Sequence, residues 1–171
     1  AFALPLLHRL SMSRSAQNRF GGTGIRALVL TPTRELAAQV EESIRTYGKY
    51  LQLSSTVIFG GVGMNPQISK LKKGVDILVA TPGRLLDLFR QKALKFSQLQ
   101  TLILDEADRM LDLGFADELR SIYAALPKQR QTLLFSATFS DAIRMLAEQM
   151  LDTPLTIEVS PRNVTASNVK Q

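Results

Sequence analysis

Cysteine is absent from this 171-residue chain. Disulfides and thiolate metal sites are therefore excluded, and a reducing compartment is compatible with the sequence. No uninterrupted apolar run approaches the roughly 20 residues of a membrane-spanning helix. Ala1 to Leu10 has neither the basic start nor the long apolar core of a signal peptide, so the expectation is a cytoplasmic protein with no membrane partner. Histidine occurs once, as His8 in a helical stretch, where a surface or packing role outweighs catalysis. No low-complexity tract is present. Also missing is G-x-x-x-x-G-K-[ST], the loop whose amides cradle phosphates and whose Lys and hydroxyl reach the terminal phosphates and magnesium. Gly21-Gly22-Thr23-Gly24-Ile25-Arg26 comes nearest and has no Lys-Ser/Thr.

What is present is apolar material for one globular core, 45% of the residues, and a net charge of +6. The charge is uneven, with a balance of +9 over residues 1–100 and −3 over residues 101–171. The basic part could attract a polyanion; a solvated basic surface explains the charge equally well.

Apolar runs and helical periodicities alternate along the chain. Strands are expected at 27–30, 55–59, 77–80, 101–104, 132–135 and 155–159. Helices are expected at 32–47, 66–73 (stopped by Gly74), 82–90, 116–126 (stopped by Pro127) and 141–151. That rhythm predicts an α/β fold, a parallel sheet with helices on both faces. Residues 11–24 read as a surface loop and 160–171 as a linker or frayed tail.

Three acids in four residues, Asp105-Glu106-Ala107-Asp108, follow the run Thr101-Leu102-Ile103-Leu104. A buried strand ending this way aims carboxylates at the sheet edge where open α/β folds bind ligands. There one acid suits a metal and one a water. A solvated turn or an acid-favouring helix start is the plain alternative.

A second pattern, L-V-x-T-P-x-R-x-L, occurs twice, at Leu28–Leu36 and Leu78–Leu86. Each copy reads as a strand running into Thr as N-cap, Pro at the first helical position and Arg in the first turn. Free amides, a helix dipole and a guanidinium together make an anion site, whereas capping alone explains either copy singly. Gly60-Gly61, followed by Gly63, permits positive φ or close approach of another backbone, with a plain turn as the commoner explanation. Ser136-Ala137-Thr138 places two hydroxyls at a strand end, where they could hydrogen-bond Asp108 or simply cap a helix.

Pro32-Thr33-Arg34-Glu35-Leu36-Ala37, Gly60-Gly61, Thr81-Pro82-Gly83-Arg84, Asp105-Glu106-Ala107-Asp108 and Ser136-Ala137-Thr138 resemble, in order and spacing, motifs Ia, GG, Ib, II and III of the DEAD-box RNA helicases. Within that family, the stretches 59–64 and 105–115 look most like the bacterial RhlE-type subgroup. The resemblance implies ATP and magnesium as cofactors. It implies that Asp105 holds magnesium through water, that Glu106 orients and deprotonates the attacking water, and that Asp108, Ser136 and Thr138 couple hydrolysis to strand separation. It further implies that Pro32, Thr33, Arg34, Gly60, Gly61, Thr81, Pro82, Gly83 and Arg84 line an RNA backbone without reading bases.

By the same resemblance, residues 1–159 are expected to be a partial first RecA-like domain, N-terminally truncated just after its nucleotide-binding loop and the adenine-reading Q motif. Residues 160–171 would begin a linker to an absent second RecA-like domain. The parent would be an ATP-dependent RNA helicase. The isolated chain would be inactive, with strands left unpaired where an interior strand is missing. A non-catalytic RNA-binding module of the same fold and a small-molecule or phosphoacceptor domain are the alternative readings.

Overall fold

Six short runs rich in Leu, Ile and Val become the strands β1 (Ala27–Leu30), β2 (Ser55–Ile58), β3 (Ile77–Ala80), β4 (Thr101–Leu104), β5 (Gln131–Ser136) and β6 (Ile157–Val159) of a computed structural model. The structure describes residues 24–49, 53–61, 63–72, 74–128, 130–150 and 157–159, with 72 and 157–159 as backbone only. His8, the expected tail over 160–171 and all of the loop over 11–24 except Gly24 lie outside them. The described helices are α1 (Arg34–Gly48), α2 (Met64–Lys72), α3 (Pro82–Arg90), α4 (Ala107–Asp112), α5 (Ala116–Ala125) and α6 (Asp141–Met150).

All pairings are parallel, in the order β2-β3-β1-β4-β5-β6. Parallel neighbours need crossover connections, and the alternating helices supply them. The three strands β1, β3 and β4 are buried on both faces, which is why they read as unbroken apolar runs rather than alternating ones. One face carries the larger core, where Leu28, Leu30, Leu78, Leu102 and Leu104 meet residues of α3 to α6. On the other, Ala37 and Ile44 of α1 cover Ala27, Val29, Ile77, Val79 and Ile103. Among the described residues no helix is long and apolar enough to cross a membrane.

The α/β class and the parallel sheet match the sequence expectation, with three corrections. A helix at Ala107–Asp112 was not anticipated; six residues offer too few apolar positions to show a period. In the first Thr-Pro copy the helix starts at Arg34 with Thr33 as N-cap, two residues later than expected, because Thr33 Oγ1 accepts the Leu36 N–H at 3.2 Å. The second copy has Gly83 at the matching position, which has no such cap, and there the helix begins at Pro82 after Thr81 as expected. Finally, no gap interrupts the described strands. β5 pairs with β4 and with β6, Leu134 standing opposite Leu104 and Ile157, because adjacent parallel strands satisfy one another's backbone groups at any point of a sheet.

Candidate functional site

Register decides which residues meet. Ile58, Ala80, Leu30, Leu104 and Leu134 lie in one row across five strands. The next residues, Phe59, Thr81, Thr31, Asp105 and Phe135, therefore emerge together at the C-terminal edge. The ladder holds this row by one further step. The Thr31 N–H donates to Ala80 O (3.0 Å), that of Thr81 to Ile58 O (3.2 Å) and that of Asp105 to Leu30 O (2.9 Å). Every motif singled out in the sequence thus reaches the same edge, with the glycine and Thr-Pro motifs on β2, β3 and β1, and the acids and hydroxyls on β4 and β5.

On the β2, β3 and β1 side, Arg34 is exposed and lies across the Gly60-Gly61 turn. Its guanidinium carbon sits 5.7 Å from the centroid of the Phe59 ring, a cation–π distance. Gly61 has φ +84°, a conformation that favours glycine, and a Cβ there would meet the exposed Arg34 guanidinium, which would have to move aside. Gly60 and Gly83 are different: a Cβ at either would meet nothing within 4 Å, and neither has positive φ. The fold alone does not require glycine at these two positions. Pro32 and Pro82 are buried beneath this surface, and Thr31 Oγ1, fully buried, makes no hydrogen bond among the described residues.

Sequence reasoning missed Gln67. This buried α2 residue donates from Nε2 to the Phe59 carbonyl (3.1 Å) and accepts at Oε1 from Arg84 Nη1 (3.1 Å). The signal was there to find, because Gln67 interrupts the apolar stripe Met64, Ile68 and Leu71 at a helical spacing where an apolar residue belongs.

On the β4 and β5 side, Asp105 is buried and Glu106 half-buried. Glu106 adopts φ 56°, ψ 53°, the left-handed region, as the N-cap of α4. A residue with a side chain loses about 1–2 kcal/mol there, so backbone preference does not account for glutamate at this position. Ser136 is buried and Thr138 exposed. The hydrogen bond anticipated between Asp108 and these hydroxyls is not formed; instead the Thr138 N–H approaches Ser136 Oγ at 3.4 Å. Among the described residues no three His, Cys, Asp or Glu side chains cluster closely enough to hold a metal by themselves.

The family model for the DEAD/DEAH box helicases matches residues 1–146. The chain belongs to this family. Curated relatives include the DEAD-box ATP-dependent RNA helicase CshA of Streptococcus pneumoniae, 41% identical over all 171 residues, and RhpA of Helicobacter pylori, 37% identical over the same span. The chain covers 31% and 33% of those proteins, about a third of their length. A crystal structure of a hypothetical ATP-dependent RNA helicase from Sulfolobus tokodaii superposes with a TM-score of 0.78 at 34% identity, over 93% of this chain and 43% of that one. The DEAD/DEAH box fold here is accordingly the RecA-like α/β sheet, with its motif residues along one edge.

Proposed function

We propose that this domain is the first RecA-like domain of an ATP-dependent RNA helicase, whose β2, β3 and β1 ends grip the backbone of a single RNA strand while the β4 end serves ATP hydrolysis. The carrying observation is the open space above Gly60 and Gly83, at glycines the folded chain does not itself need, flanked by Arg34 and Arg84. Such openings let a sugar-phosphate chain approach the protein backbone closely, and the guanidiniums supply the counter-charge. Contacts of this kind position the strand without reading its bases. Within the family, 59–64 and 105–115 support an RhlE-type parent, and the absence of cysteine suits the cytoplasm.

For the nucleotide, the donor set fits magnesium in its usual manner, held by one or two carboxylates, waters and phosphates rather than by a protein cage. Asp105 would hold the ion through water. When bound, the ion neutralises charge on the phosphates. Glu106 would orient a water and take its proton, and Asp108, Ser136 and Thr138 would carry the consequence of hydrolysis toward the RNA edge and a second RecA-like domain. The chain contains no G-x-x-x-x-G-K-[ST], and alone it would not turn over ATP.

The test is titration of single-stranded RNAs of several sequences at a series of salt concentrations, in full-length protein. Arg34→Ala and Arg84→Ala should each weaken binding by a similar factor for every sequence. Each should also reduce the salt slope by about 0.7, the value for one phosphate contact on a single strand. Unchanged affinity in both variants would leave the two Thr-Pro copies as ordinary capped helix starts.

A further inference from the structure

We infer that Gln67 is a positioning residue that locks the two halves of the RNA face to one another, a role that rests on the RNA-binding reading above. The Gly60-Gly61 turn and the Thr81–Arg84 helix start follow different strands, and the backbone ladder between them ends at the bond from the Thr81 N–H to Ile58 O. Gln67 ties them through its amide, with Nε2 on the Phe59 carbonyl just before the turn and Oε1 on Arg84 Nη1, both at 3.1 Å. The chemistry fixes which end faces which partner. A carbonyl only accepts and a guanidinium only donates, so reversing the amide would set donor against donor and acceptor against acceptor. Gln67 is 7% exposed, and in that partly dry setting a hydrogen bond to a charged group is stronger than one in water.

The same bridge reaches Arg34, because the Phe59 residue whose carbonyl Gln67 holds also carries the Arg34 guanidinium over its ring. Two cations and a glycine turn, contributed by three strands, are thereby linked through one buried amide. With the bridge intact, the phosphate contacts lie at a set spacing before RNA arrives, and binding does not have to order them. Without it, Arg84 loses one of the bonds that orient its guanidinium and the turn loses the Gln67 tie, so RNA must do more to organise the face.

The two ends of the amide can be separated by substitution. Gln67→Met keeps the length and packing of the side chain but forms neither hydrogen bond. Gln67→Glu strengthens the attraction to Arg84 while placing a carboxylate oxygen against the Phe59 carbonyl, and it offsets a cation that the RNA would otherwise meet. In full-length protein, RNA-stimulated ATP hydrolysis is followed as a function of RNA concentration at several salt concentrations, with thermal melts alongside. For Gln67→Met the half-saturating RNA concentration should rise by about three- to tenfold, the scale of one such hydrogen bond. Its rate at saturating RNA and its salt slope should be unchanged. For Gln67→Glu the rise should be at least as large, with the salt slope lower by about 0.7, one phosphate contact.

Arg84→Ala is the control that separates two kinds of failure. If it weakens RNA binding while both Gln67 variants keep the wild-type half-saturation and slope, the bridging role is overturned and the RNA face stands. If none of the three changes RNA binding, both readings fall. A loss confined to melting temperature and saturating rate, with unchanged half-saturation, would make Gln67 an ordinary core residue and overturn the proposal.

Discussion

Gly61 and Gly83 look alike in the sequence and answer to different physics. At Gly61 the positive φ disfavours a side chain, so Gly61→Ala should destabilise the domain by about 1–2 kcal/mol and push the Arg34 guanidinium aside. At Gly83, in the first turn of α3, a Cβ enters empty space. Gly83→Ala should therefore leave stability unchanged or raise it by up to about 1 kcal/mol while weakening RNA binding. Urea midpoints paired with RNA titrations check both, and a Gly83→Ala variant with wild-type RNA affinity would show that the space serves no ligand. The sequence distinguished these residues only in part. It marked Gly61 as a site of positive φ or close approach and Gly83 only through the family resemblance, because whether the constraint comes from backbone angle, from a neighbouring side chain or from a missing partner depends on what the sheet register brings alongside. Gln67 was legible only in part for a related reason: a glutamine within the apolar stripe of a helix marks a buried polar group, but its partners stay hidden until Phe59 and Arg84, on two other elements, stand at its two ends.

Elements were read more fully than residues. Strand and helix cores follow from runs of Leu, Ile and Val and from the 3.6-residue period, which need no tertiary knowledge. Their ends depend on competition between caps. Thr31 and Thr81 lead into the same Pro, yet a second hydroxyl at Thr33 delays one helix by two residues. Long-range contacts between helix ends were not readable at all, and one of these makes an element-scale prediction. Tyr123 of α5 donates its hydroxyl to Met150 Sδ at the end of α6 (2.6 Å), and Arg130 caps the same region through Pro127 O and Met150 O. Burial raises the phenol well above its ordinary value of 10.0, and Arg130 pulls less strongly the other way. Because the folded-state pKa is the higher one, the unfolded phenol ionises first. The contribution of Tyr123 is fully present below about pH 10 and is lost as pH rises from there toward the folded value. Urea melts between pH 8 and pH 11, on either side of that point, should show wild-type stability falling more steeply than that of Tyr123→Phe. Parallel slopes would contradict the assignment.

At the scale of the whole molecule the sheet separates two chemistries along one edge, with cations and open glycines over β2, β3 and β1 and carboxylates over β4. The strand order that produces this is not written in any single motif. It follows from β1 lying between β3 and β4, which places Thr31 and Arg34 between the second Thr-Pro copy and the acids. In the proposed function, ATP turnover that depends on RNA is the outcome of that adjacency and rests on Glu106, held in a left-handed conformation at the junction of β4 and α4. The most direct measurement is RNA-stimulated ATP hydrolysis by the full-length protein carrying Glu106→Gln, made together with ATP and RNA binding. The amide keeps the shape of the side chain and cannot take a proton. Turnover should fall by about two to four powers of ten while both affinities stay near wild type; near-normal RNA-stimulated turnover would contradict the account.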